Sequence, residues 1–196
     1  MQRRTVILLS VAAIAMLAIG GTVAFVATNP PPTPAASAPA ASDPPAAEPS
    51  TPETSAAWDT SASLLYMIEE EKLAHDAYVT LGDQWGVPVF ANIAASETTH
   101  QELLLPLLES RGLPDPRSPE IGVFGNADLQ ALYNELVARG GVSLAEAIQV
   151  GIAIEERDIA DIGAALAAET IPEVISVYER LLSGSENHLR AFQRQV

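Results

Sequence analysis

The chain has 196 residues, no cysteine, and 25 acidic against 10 basic side chains, for a formal charge of -15. That length holds one ordinary domain plus extras, and the missing cysteines exclude disulfides, thiolate metal sites, iron–sulfur clusters and thiol nucleophiles, leaving oxygen and imidazole chemistry. The negative surplus repels phosphate backbones, which argues against nucleic acid as a partner and makes cations the natural opposite.

An apolar content of 48% is high for an acidic soluble domain, and much of it lies at the N-terminus. From Thr5 to Thr28 the chain carries no charge, and Arg3 and Arg4 precede this run. It exceeds the roughly 20 residues needed to cross a bilayer. Residues 1–28 therefore read as a transmembrane signal anchor, or as a signal peptide cut near Thr22-Val-Ala24. Either way the arginines place the N-terminus inside and everything downstream outside the cytoplasm, membrane-anchored or secreted. Residues 29–57 hold most of the 15 prolines and no aromatic or large aliphatic side chain. They read as a disordered Pro/Ala-rich linker, extended at about 3.1 Å per residue where it is polyproline-like.

Function must lie in residues 58–196. Glycine and proline divide them into predicted helices over Ser61–Leu81, Pro88–Arg111, Ala127–Arg139, Ser143–Ala168 and Pro172–Gln195, and no run alternates like a strand. Pro88 and Pro172 suit a first helical turn, and Ser143 with Glu146 has the capping-box spacing. Gly82–Val87 and Glu169–Ile171 are short connections that join antiparallel neighbours, whereas Gly112–Val142 is long and contains the short helix. Two hairpins joined by one long crossover is the topology of a ferritin-like four-helix bundle, so the predicted fold class is all-α.

At 100° per residue the ionisable residues separate into two sets. Glu71 and His75 fall within the apolar face of the first helix, Glu97 and His100 within that of the second, Glu155 and Asp158 within that of the fourth, and Ser185 and His188 within that of the fifth. Glu69, Asp76, Thr80, Glu102, Glu109, Glu156 and Glu186 are predicted to point away, and Lys72 and Arg157 to project sideways or outward. Ser185 reads as packing filler, and Tyr78, Tyr133 and Tyr178 as core aromatics, one of which would serve as a redox relay beside a metal.

A buried unpaired carboxylate costs several kcal/mol, so inward carboxylates need a counter-charge. Two divalent cations would balance Glu71, Glu97, Glu155 and Asp158, with His100 and His188 completing the shells and His75 as the outlying candidate. This ligand set suits iron or manganese, and zinc also accepts it. An internal salt-bridge network built from the same groups is the alternative.

The strings EEEKLAHDAY (Glu69–Tyr78), FANIAASETTH (Phe90–His100), GIAIEERDIADI (Gly151–Ile162) and GSENHLRAF (Gly184–Phe192) resemble a bacterial and archaeal family of the ferritin-like superfamily, domain of unknown function 2202. The resemblance spans about Ser61–Val196 and includes GVFGNADLQALY (Gly122–Tyr133). It implies a ferritin-like bundle without an established reaction. In the pattern of rubrerythrin and ferritin, Glu71 matches the first-helix glutamate, Glu97 and His100 the second-helix Glu-x-x-His, Glu155 the third-helix glutamate and His188 the last histidine. Tyr78 stands where rubrerythrin has a tyrosine seven residues beyond that first glutamate. Ser185 departs from the pattern, standing where a glutamate is expected.

The resulting expectation is an extracytoplasmic protein that binds one or two iron or manganese ions, with oxygen or peroxide activation or metal oxidation as its chemistry. The alternatives are a non-catalytic metal-binding or sensing module and a metal-free interaction bundle. The expected partners are the membrane through the N-terminal helix, metal ions, an external electron donor and a second copy in a homodimer.

Overall fold

The computed structural model describes residues 58–196. The predicted membrane segment (1–28) and linker (29–57) lie outside the described residues. Among the described residues no helix is long and apolar enough to cross a membrane.

Five helices and no strand make up these residues: α1 (Thr60–Trp85), α2 (Pro88–Glu109), α3 (Ala127–Gly140), α4 (Leu144–Ala168) and α5 (Pro172–Gln193). Asp59 begins α1 by accepting the backbone N–H groups of Ser61 and Ala62 at 2.9 and 3.1 Å, which satisfies donors that the first turn leaves without partners. The helix runs four residues beyond the predicted end at Leu81, because Gly82 remains helical. The residue that ends it is Gly86, at φ 67°, with its N–H returned to the Gly82 carbonyl. Pro88 and Pro172 occupy first turns as predicted, and the Ser143 hydroxyl accepts from the Glu146 N–H at 3.1 Å. The α4–α5 turn is held by the Glu169 side chain, which accepts from the N–H groups of Thr170 and Ile171. Glu169 also accepts from Trp58 Nε1 and Thr60 Oγ1 and so ties the start of α1 to that turn.

Helix α1 packs on α2 and α4, α5 packs on α4 and α2, and α3 lies against α1 and α4. Two apolar clusters fill the interior. One holds Leu73, Tyr78, Leu81, Phe90, Ile93, Val150, Ile154 and Phe192, among others. The second includes Leu64, Met67, Ile68, Leu104, Leu108, Ile162, Val174, Tyr178 and Leu181. Along α1 the chain passes from the second cluster to the first, along α2 and α4 from the first to the second, and along α5 back again. Every packed pair among these four long helices is therefore antiparallel, and α2 runs parallel to α4. A connection between parallel helices must travel back along the bundle, which explains why α2–α4 is the long one.

That connection corrects the predicted outer face of α1. Glu69, Lys72 and Asp76 are buried, and Thr80 is half-buried. The segment leading to α3 lies over them: Glu69 accepts from the N–H groups of Gly125 (2.6 Å) and Asn126 (3.2 Å), and Asp76 accepts from that of Gly122 (2.8 Å). Lys72 donates to Asp76 and to the Glu120 carbonyl, with its ammonium 4.6 Å from the Phe124 ring centroid. Thr80 and Tyr133 share a 2.8 Å hydroxyl contact. These charges are satisfied by backbone and by one another, as burial requires.

Candidate metal centre

Between the two apolar clusters lies one polar layer. Each of the four long helices crosses it where its inward stripe carries Glu71 (α1), Glu97 and His100 (α2), Glu155 and Asp158 (α4), or Ser185 and His188 (α5). The i, i+3 spacing of the last three pairs puts both members on one helix face. All seven are buried, with Glu71, Glu97 and Glu155 only 1% exposed.

Glu97 is the hub. Its Oε2 lies 2.8 Å from His100 Nδ1 and its Oε1 2.9 Å from His188 Nδ1. Neither contact has hydrogen-bond geometry, and both oxygens lack a hydrogen-bond partner. The His100 Nδ1 instead pairs with Glu71 Oε2 at 3.0 Å. His188 Nδ1, which is 3.6 Å from Glu155 Oε2, has no hydrogen-bond partner. The two imidazoles stack with centroids 5.3 Å apart. Tyr78 donates to Glu155 Oε1 at 2.5 Å, and Ser185 donates to Asp158.

Without a cation the layer is balanced by protons. Burial pushes Glu71 and Asp158 well above the usual carboxylate range, and it lifts Glu155 to about 7. Burial also opposes the charged forms of Glu97, His100 and His188. Their charged partners outweigh it: the two imidazoles hold Glu97 down at about 2, Glu71 and then Glu97 raise His100 to about 11, and Glu155 and Glu97 raise His188 to about 9. Near neutral pH, then, Glu97 is an anion between two imidazolium rings, burial keeps protons on Glu71 and Asp158, and Glu155 is in mid-titration.

The donor atoms fit a metal ion. Glu71 Oε1, both Glu97 oxygens, Asp158 Oδ1 and His188 Nδ1 are buried without hydrogen-bond partners, although buried polar atoms are ordinarily satisfied. Ligand atoms of Glu97, His100 and His188 lie within 4.8 Å of one another. Two ligands at right angles, each about 2.1 Å from one ion, sit about 3 Å apart, close to the two histidine–Glu97 separations. Carboxylate and imidazole suit iron, manganese or zinc.

Of the predicted residues, the structure brings Glu71, Glu97, His100, Glu155, Asp158 and His188 into this layer. His75 stands apart from it: half-buried on the flank of α1, its Nδ1 meets Asp76 Oδ1 at 2.8 Å, beside a groove lined by Lys72, Gln101, Asp115 and Arg117. Ser185 is more than filler, since its hydroxyl holds Asp158. Lys72 is buried, contrary to the sequence reading, but its ammonium goes to Asp76 on the crossover side. Arg157 is half-exposed at its side chain, yet its guanidinium reaches Glu70 and Tyr66.

Two contributors escaped sequence reasoning. Ser96 Oγ lies 2.8 Å from His188 Nε2, a contact that holds the ring with Nδ1 turned toward Glu97. At Gly184 a Cβ would run into the His100 ring, so the absence of a side chain there makes room for that imidazole. The only available signals were the adjacency of Ser96 to Glu97 and of Gly184 to Ser185.

The uncharacterized protein MJ0754 of Methanocaldococcus jannaschii is 44% identical over 134 residues, covering 68% of this chain and 72% of that protein. A crystal structure of hypothetical protein MJ0754 from Methanococcus jannaschii superposes with a TM-score of 0.69 at 41% identity, covering 74% of this chain and 84% of the other. Residues 60–196 match DUF2202, described as an uncharacterized protein domain, and the chain belongs to that family.

Proposed function

We propose that this domain is a ferritin-like bundle that binds one or two iron or manganese ions through Glu71, Glu97, His100, Glu155, Asp158 and His188. The observation that carries the reading is the set of five buried donor atoms without hydrogen-bond partners, converging from four helices between two apolar clusters. A salt-bridge network would direct its N–H groups at its carboxylates, whereas both Glu97 oxygens face imidazole nitrogens off the hydrogen-bond direction. That arrangement is what ligands sharing a cation adopt.

Iron or manganese bound here would supply one-electron chemistry toward oxygen or peroxide, or would itself be the species oxidised. The protein's part is positional. Glu97 faces both imidazoles, Ser96 holds the orientation of the His188 ring, and Tyr78 fixes Glu155. The apolar clusters above and below keep bulk water out, which strengthens electrostatic interactions within the layer. In this reading the N-terminal run tethers or exports the domain outside the cytoplasm. Electrons come from an external donor, because a chain without cysteine has no thiolate-bound iron–sulfur centre of its own.

The test is elemental analysis of the full-length protein after equilibration with Fe(II), Mn(II) or Zn(II), together with Glu97→Gln and His100→Ala. Wild type should retain stoichiometric metal and both variants should lose it. A wild-type protein that retains none at micromolar concentration refutes the reading. The engagement of Asp158 by Ser185, where the superfamily pattern has a carboxylate, favours a passive binding or sensing module as the second reading. Stopped-flow mixing of loaded protein with oxygen or peroxide separates the two: turnover supports the oxidoreductase, and its absence supports the passive module.

A further inference from the structure

One more buried carboxylate lies beside the layer and outside the ligand set. Glu70, on α1, has a side chain only 5% exposed. Its Oε1 is 3.1 Å from Arg157 Nε and 3.3 Å from the Tyr66 hydroxyl, whereas its Oε2 is buried without a hydrogen-bond partner. Asp161 lies nearer solvent, with Oδ2 3.4 Å from Arg157 Nε and 3.5 Å from the Tyr66 hydroxyl. Tyr66, Arg157 and Asp161 line a surface groove of about 490 Å³ along α1 and α4. Asp158 and Asp161, one turn apart on α4, are the two acidic neighbours acting on Glu70. Asp161 thus lies at the groove, Glu70 is buried behind it, and Asp158 sits in the polar layer.

Only one of the two Glu70 oxygens has a hydrogen-bond partner. Arg157 covers that one, and its side chain is 47% exposed, so it can swing into solvent without opening the core. The groove on the other flank of α1 offers less to a cation, because Lys72 is matched by Asp76 and Arg117 by Asp115.

We infer that Asp161 and Glu70 form an entry route by which a hydrated divalent cation passes from the α1/α4 groove to the metal centre, with Arg157 as the displaceable counter-ion at its mouth. The inference rests on the metal-binding reading above. Carboxylates lining a low-dielectric cleft raise the local cation concentration and the association rate, while the ligands set affinity.

The test is stopped-flow absorbance of metal-free, full-length protein mixed with Co(II). Asp161→Asn should slow association about three-fold and Glu70→Gln about ten-fold, and Arg157→Gln should accelerate it. All three should bind Co(II) with wild-type stoichiometry, and Asp115→Asn, in the other groove, should leave the rate unchanged. A rate within two-fold of wild type in either Asp161→Asn or Glu70→Gln overturns the route while leaving the metal centre standing. Loss of equilibrium binding in Glu70→Gln, with Asp161→Asn unslowed, also overturns it and marks Glu70 as a ligand. Failure of the wild type to bind Co(II) overturns both readings.

Discussion

Tyr78→Phe isolates one hydrogen bond of the polar layer. The Tyr78 side chain is fully buried, and its ring packs on Phe90 and Phe192 with centroids 6.2 and 5.1 Å away, contacts that phenylalanine keeps. The loss is the 2.5 Å bond to Glu155 Oε1. A hydrogen bond to a charged group contributes about 1.5–3 kcal/mol, and a domain of this size changes its melting temperature by about 3–4 °C per kcal/mol. The expected drop is about 5–10 °C at pH 8 in chelator, read by circular dichroism. The sign of the pH dependence follows from Glu155, whose carboxyl titrates at about 7 in the folded state. Burial of the charged form destabilises the fold as pH rises from the ordinary carboxylate range toward 7, and the Tyr78 hydrogen bond offsets part of that cost. Its removal should therefore matter little at pH 5 and more at pH 8. A variant that melts within 1 °C of wild type at pH 8, or with an equal deficit at both pH values, refutes this account of the Tyr78–Glu155 pair.

Asp76 is held below its ordinary range: burial raises it, but hydrogen bonds from His75, Lys72 and Gly122 outweigh that effect. Its contribution is present above the unfolded carboxylate pKa and is lost as pH falls through the lower folded value. Asp76→Asn should thus cost about 1.5–3 kcal/mol at pH 7 in urea unfolding and progressively less as pH falls below the ordinary carboxylate range; a cost that stays constant through that fall would contradict it. Glu69→Ala leaves the Gly125 and Asn126 N–H groups without their carboxylate. Limited proteolysis should then cut within residues 112–126 faster than in wild type, with global stability down by about 1–3 kcal/mol, and unchanged cleavage would show that Glu69 does not hold the crossover. Gly184→Ala forces the His100 ring to move. It should lower stability by about 1–3 kcal/mol and weaken Co(II) binding in titration, and unaltered affinity would mean that the ring has room to adjust.

The sequence by itself determined the helices and the inward set of the polar layer. Proline and glycine marked the helix ends, and the 3.6-residue period placed Glu71, Glu97, His100, Glu155, Asp158 and His188 on apolar faces, because angular position about a helix axis depends on spacing alone. The same arithmetic misjudged Glu69, Lys72 and Asp76, and it placed His75 beside Glu71, although α1 turns His75 to its flank. Periodicity gives the side of a helix on which a residue lies, but not what covers that side. The crossover covers the outer face of α1, and its path is fixed by contacts between residues some fifty positions apart, such as Glu69 with Gly125 and Asp76 with Gly122. Tertiary structure alone also decided that Ser96 meets His188, that Gly184 makes room for His100, and that Glu70 lies behind Arg157 with one oxygen free. Each of those depends on the rotation and depth of two helices relative to each other, which packing sets and no single helix encodes.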